Sequence, residues 1–176
     1  MDEVIEPFRS GYIKSNIGTK LADNLKRISL FENQKKDLTK EWDKYDFYSW
    51  DYPEIKELNE IQVNLVYKYQ KEFTNSKQSK AFRFKGWVNL RKGTDWHEPH
   101  NHSYVDLIFN TYISTPKNTE INFQNPDYAK PFNVDIHKIK PEVGDIILTP
   151  GWWIHWTSPS YMEDWRISMS SNVFML

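Results

Sequence analysis

The chain predicts a mainly β fold, an antiparallel sandwich or jelly roll with helices laid against one sheet. Two observations carry this. Apolar residues recur at helical spacing only before about residue 80, and after it seven short segments approach a period of two, with no helical stretch between them. Turn chemistry separates those segments, as expected for antiparallel strands joined by tight connections.

The first helix is expected over about 19–36, where Leu21, Leu25, Ile28 and Phe31 recur at three- and four-residue spacing. Gly18-Thr19 supplies a start that can cap it. Asp51-Tyr52-Pro53-Glu54 reads as the start of a second helix, with an acidic cap and an early proline. Ile55, Leu58, Ile61, Leu65, Tyr69 and Phe73 then trace one stripe. The polar run 75–80 ends it. Strands are expected over about 82–90, 104–114, 120–125, 133–139, 145–149, 154–158 and 166–176. Lys92-Gly93, Asn125-Pro126-Asp127 and Glu142-Val143-Gly144-Asp145 are the turn signals between them.

At 176 residues the chain suits a single domain, with 1–80 as helical N-terminal support and 81–176 as the β core. Twenty-three basic residues against 24 acidic ones give a net charge of −1, so no general field draws it to nucleic acid or an anionic membrane. The absence of cysteine excludes disulfides and thiolate metal sites. No apolar run reaches the length of a signal peptide or membrane span, and the expected location is the cytoplasm. Aromatic residues make up 16% of the chain, a load that suits strands and the walls of dry pockets.

The chemistry concentrates in a split cluster. His100 and His102 alternate in a hydrophobic region and can face one point, and His155 returns in Gly151-Trp152-Trp153-Ile154-His155. A lone His-x-His is commonly incidental, and His155 alone could simply bond within an aromatic edge. Three imidazoles converging from rigid strands form an open metal site instead, with positions left for a chelating ligand and a gas, as non-haem iron oxygenases require. Arg166-Ile167-Ser168 follows. A strand arginine is ordinarily exposed and in a surface ion pair, but Ile167, Met169 and Val173 argue for a buried strand. An arginine there needs an anionic partner, and its planar fork fits a carboxylate, with the Ser168 hydroxyl on the same face.

Over 82–174 the sequence resembles the Fe(II)/2-oxoglutarate-dependent dioxygenases, specifically the compact members common in tailed phages and aquatic bacteria. The resemblance runs through Trp87-Val88-Asn89, Pro99-His100-Asn101-His102, Tyr112, the stretch from Pro141 to Pro150 leading to His155, and Arg166-Ile167-Ser168. It implies a double-stranded β-helix, Fe(II) on His100 and His155, and 2-oxoglutarate as cosubstrate with its C5 carboxylate on Arg166 and Ser168. Arg166 stands eleven positions past His155, in step with the family's spacing. Asn89 and Tyr112 fall where relatives place further polar residues near the cosubstrate, although either could merely serve the core. The implied reaction is oxidative decarboxylation of 2-oxoglutarate to succinate with hydroxylation of a substrate whose identity is not readable. Trp96, Trp152, Trp153 and Trp156 are candidate walls of the dry cavity this needs.

One position departs from the family pattern: His102 stands where the usual metal triad carries an acid. Either His102 is the third ligand or Asp106, four residues on, supplies the carboxylate. Glu98 and His97 are expected in supporting or substrate-contact roles, and His137 at the surface. Two other classes stay open at this level. A cupin-like metalloenzyme could use three histidines without 2-oxoglutarate, and a non-catalytic jelly-roll module would need no converging histidines.

Overall fold

The computed structural model describes residues 2–8, 10–74, 78–126, 135–159 and 161–176. Its elements are β1 (Glu3–Ile5), β2 (Tyr12–Asn16), α1 (Thr19–Lys36), α2 (Pro53–Phe73), β3 (Phe82–Gly93), β4 (Leu107–Ser114), β5 (Ile121–Gln124), β6 (Ile136–Ile139), β7 (Asp145–Pro150), β8 (His155–Thr157) and β9 (Met162–Met175). Two single-turn 3-10 helices, Trp42–Lys44 and Phe47–Ser49, join α1 to α2.

Both helices form where the apolar spacing places them. α1 buries Leu21, Ala22 and Leu25, but Phe31 lies off the buried stripe at 50% exposure, with the Lys35 ammonium 3.8 Å from its ring centroid. Its start at Gly18 has no side-chain cap, and it ends at Asp37 in the left-handed conformation. α2 begins with Pro53 in its first turn, where the missing N–H costs nothing. Asp51 does not cap it; its carboxylate pairs with Lys56 at 3.1 Å.

The strands form a six-stranded sheet in the order β1-β2-β7-β4-β9-β3 and a three-stranded sheet in the order β6-β5-β8, antiparallel throughout. Alternation along the large sheet sorts its residues into two cores. Ile13, Val88, Leu90, Phe109, Ile146, Leu148, Ile167 and Met169 pack with the helices. On the opposite face Tyr12, Tyr112 and Ile147 pack with Ile121 and Phe123 of the small sheet. This is the jelly-roll arrangement expected, and every residue of β4 and β7 is buried because both faces are covered.

The segment before residue 80 supplies more than helices, since β1 and β2 extend the large sheet along β7. Tyr12-Ile13-Lys14-Ser15-Asn16 is too short and too polar to stand out by pattern, and its pairing with β7 decides it. β9 starts four residues earlier than expected and β3 runs three residues longer, because each is the other's partner from Phe82↔Met175 to Gly93↔Met162. Of the strand expected over 133–139, residues 133 and 134 lie outside the described residues, as do Asp127 of the expected turn and 75–77 of the polar run. Gly144, with φ 91°, makes the turn before β7. No helix among the described residues is long and apolar enough to cross a membrane.

Candidate metal centre

The site lies between the two sheets, on the face of β3, β4 and β9 turned away from the helices. Cross-strand register places Arg91 opposite Arg166, Asn89 opposite Ser168 and Trp87 opposite Ser170, with Tyr112 and Asn110 on the other side of β9. Period two then aims Asn89, Arg166, Ser168 and Tyr112 into one cavity, all four residues expected near the cosubstrate.

His100 and His102 reach the same cavity by a route other than a regular strand. Both sit in the connection between β3 and β4. His100 forms an isolated bridge with His155, their N–H groups donating to each other's carbonyls at 3.0 and 2.8 Å, and the His102 N–H donates to the Gly151 carbonyl at 2.8 Å. Backbone pairing to the β7–β8 connection thus imposes the alternation that a strand would have given. Gly151 permits it: a Cβ there would stand 2.3 Å from the Val105 carbonyl oxygen.

One ligating atom from each of His100, His102 and His155 falls within 4.8 Å of the others. The His102 and His155 rings are nearly parallel, 5.3 Å apart, and the His100 ring is tilted 4.4 Å from His155. Nδ1 of His155 is 3.1 Å from the Trp153 carbonyl and Nδ1 of His100 is 2.6 Å from the Glu98 carbonyl. A carbonyl only accepts, so each Nδ1 carries the proton and each Nε2 keeps a free lone pair, which is what a metal ligand needs. Trp87 stacks on His102 at 5.6 Å, and Nε2 of His102 is buried with no hydrogen-bond partner. Burial, with the charge of His100 adding and Asn172 opposing at His102, lowers His102 to about 4 and His155 to about 3, so these two rings are neutral at ordinary pH.

The Arg166 side of the cavity is equally incomplete. Arg166 is only 4% exposed, yet its Nη1 has no partner and it makes no ion pair among the described residues. Burial disfavours its charge, opposed by neighbouring Tyr112. Asn89 Nδ2 donates to Ser170 Oγ at 3.0 Å and Ser170 Oγ donates to Asn110 Oδ1 at 2.9 Å, which leaves Asn110 Nδ2 buried and unused. Buried donors without acceptors are costly, and two of them with the His102 lone pair line one cavity. The cavity is a crevice between side-chain tips with a volume of about 30 Å³.

Several expectations change. The Asp106 carboxylate stands outside the histidine cluster and accepts the Met175 N–H at 2.8 Å. Of the four expected tryptophan walls only Trp156 lines the cavity. Trp153 is fully buried in the core between the sheets, with Nε1 donating to Ser10, while Trp152 and Trp96 are 51% and 37% exposed. His137 is not a free surface residue but half-buried, its Nε2 3.0 Å from the Tyr12 hydroxyl. His97 lies in the cavity wall, 4.7 Å from the His100 ring, and Glu98 contributes its backbone while its side chain is exposed. Arg91, Asn110 and Ser170 were missed, although each lies two positions from a residue already singled out on its strand.

Imidazoles converging on one point inside a jelly roll, with a buried arginine lining the same cavity, form the kind of site that a metal-dependent oxygenase needs. The comparisons then give the family. The sequence profile of the 2OG-Fe(II) oxygenases matches residues 85–172, half of the chain, and the chain belongs to that family. It is an Fe(II)- and 2-oxoglutarate-dependent oxygenase. Similar solved structures include a prolyl-4-hydroxylase from Pseudomonas putida, at TM-score 0.71 and 10% identity over 96% of this chain and 90% of that one. A prolyl hydroxylase from Trichoplax adhaerens, in complex with a hypoxia-inducible-factor peptide fragment, aligns at 0.70 and 13% over 95% and 84%. HygX from Streptomyces hygroscopicus, with nickel and 2-oxoglutarate bound, aligns at 0.64 and 12% over 93% and 81%. No curated protein matches the chain.

Proposed function

We propose that His100, His102 and His155 hold the Fe(II), and that Arg166, with Ser168, Tyr112 and Asn89 around it, holds the distal carboxylate of 2-oxoglutarate. The observation that carries this reading is the set of buried polar atoms left unsatisfied around one cavity: the His102 lone pair and the Arg166 and Asn110 donors. A divalent cation completes the first, and a carboxylate completes the others.

The donor set fits iron. Three neutral nitrogens on one side of a cation leave the opposite positions open, and His102 in place of an acid leaves the metal's full charge for a dianionic chelator to offset. When bound, the iron would supply the chemistry that couples hydroxylation of a C–H bond to reduction of O2, with 2-oxoglutarate oxidised to succinate and CO2 in the same turnover. The chain's own residues do the rest. The Glu98 and Trp153 carbonyls fix the orientation of His100 and His155. Arg166 sets the depth of the keto acid through a bidentate contact, and the Ser168 and Tyr112 hydroxyls can donate to the same group. Ile121, Trp87 and Trp156 keep water from the crevice. A cupin-like site without 2-oxoglutarate would leave the buried Arg166 charge without a purpose.

We also read the chain as one of the compact phage or bacterial members of its family, acting in the cytoplasm of a bacterial or phage-infected cell and without a general nucleic-acid surface. Its near-neutral net charge supports the last point. The test is anaerobic calorimetric titration: one Mn(II) per chain, then one 2-oxoglutarate bound only once the metal is present. Metal-independent binding of 2-oxoglutarate, or none, overturns the proposed site.

A further inference from the structure

A space wider than the Arg166 crevice also touches the histidines. The inner face of the β3–β9 pair continues past Trp87 and Ser170 to Lys85 and Asn172, which are cross-strand partners. There a second cleft of about 210 Å³ opens, bounded by Asp43, Lys85, Trp87, His102 and Asn172. Trp87 and His102 border both cavities, so this stacked pair stands between the cleft and the metal position. Arg166 lies on the far side: from Lys85 to the Arg91–Arg166 pair is six residues of strand, roughly 20 Å.

The lining has a distinctive chemistry. Lys85 and Asp43 carry opposite charges and neither makes an ion pair among the described residues. Asn172 Oδ1 is buried and makes no well-aligned hydrogen bond, although it lies close enough to His102 to favour that ring's charged form. A dianion would meet only one cation and be repelled by Asp43, and a plain cation would meet Lys85. A ligand with both an ammonium and a carboxylate satisfies all three groups.

We propose that this cleft is the substrate site and that the substrate is a small zwitterion of the α-amino-acid class. Its carboxylate pairs with Lys85, its ammonium with Asp43 and Asn172 Oδ1, and its side chain passes Trp87 and His102 toward the metal. The inference rests on the metal and cosubstrate placement proposed above, and it adds a division of labour: the narrow crevice takes 2-oxoglutarate and the wide cleft takes the substrate.

The experiment uses the full chain loaded with redox-inert Ni(II) and 2-oxoglutarate. Free α-amino acids, and the same compounds N-acetylated or C-amidated, are titrated by calorimetry into wild type, Lys85→Glu and Asp43→Lys. Both side chains are exposed, so neither variant threatens the fold. At least one free amino acid should bind, and acetylation or amidation should each weaken it. Lys85→Glu and Asp43→Lys should each weaken it by about five- to tenfold, the range of partly solvated charge contacts. Affinity for 2-oxoglutarate should stay within about twofold of wild type in both variants. The proposal is overturned if no free amino acid binds while 2-oxoglutarate does, if blocked forms bind as well as free ones, or if both variants bind as wild type. Failure of 2-oxoglutarate to bind wild type would refute the cosubstrate reading instead.

Discussion

Arg166 offers the sharpest separation of function from stability. Its guanidinium is desolvated, and Nη1 has no partner, so before ligand binds it is a cost to the fold. Arg166→Met keeps the aliphatic stem and removes the charge. The unliganded variant should therefore be no less stable than wild type, whereas an ordinary buried ion-pair arginine would cost about 3–5 kcal/mol on removal. Ligand binding should move the other way. Charge-assisted hydrogen bonds contribute about 1.5–3 kcal/mol, equivalent to a rise in Kd of roughly 10- to 150-fold. At 2-oxoglutarate equal to 100 times the wild-type Kd, wild type gains about 2.7 kcal/mol. A variant with Kd raised about 30-fold gains only about 0.9 kcal/mol at the same concentration. For a chain of this size those gains correspond to Tm increases of about 5–11 °C and 2–4 °C respectively. The assay is thermal unfolding of Mn(II)-loaded protein with and without 2-oxoglutarate. A wild-type-sized shift in Arg166→Met, or a large drop in its unliganded Tm, would refute the reasoning.

Other outcomes follow from the same geometry. His100→Ala and His155→Ala should each abolish stoichiometric Fe(II) binding while far-UV circular dichroism keeps its β signature; retained metal in both would count against the site. His102→Ala should weaken Mn(II) binding far more than Asp106→Asn, because the Asp106 carboxylate is engaged with the Met175 N–H; the reverse ranking of metal Kd values would restore Asp106 as the acid ligand. Gly151→Ala should lower metal affinity by about tenfold or more along with stability, since its methyl would stand 2.3 Å from the Val105 carbonyl and push out the segment carrying His102. Burial holds His97 and His102 at about 4 and His155 at about 3, and it also lowers His137. Below an unfolded value of about 6.5 the unfolded chain takes up protons that the native state refuses. Stability of the metal-free protein should be complete above that pH and lost progressively toward pH 4. Urea unfolding midpoints that stay flat from pH 8 to pH 4.5 would contradict this.

The site was more legible in the sequence than the scaffold that builds it. His100, His102, His155, Arg166 and Ser168 could be read because spacing along extended chain fixes which side chains share a face, and β9 obeys that rule throughout. The reason for the convergence was not legible. His100 and His102 alternate because their backbone pairs with His155 and Gly151, a contact across some fifty residues that no local pattern encodes. The tryptophans mark the same limit: Trp153 and Trp156 are three residues apart, yet one fills the core and the other the cavity wall, because the turn between β7 and β8 sets their directions. β2 was invisible for a related reason, since its strand character comes from β7 rather than from its own composition. Extending period two from Asn89, Tyr112 and Ser168 would have recovered Arg91, Asn110 and Ser170 without any structure.

The most direct measurement is a crystal structure of the protein with Mn(II) and 2-oxoglutarate under anaerobic conditions. The account predicts one metal ion ligated by His100, His102 and His155, with the keto acid chelating it and the distal carboxylate on Arg166. Metal bound through Asp106 or without His102, or a distal carboxylate directed away from Arg166, would contradict it.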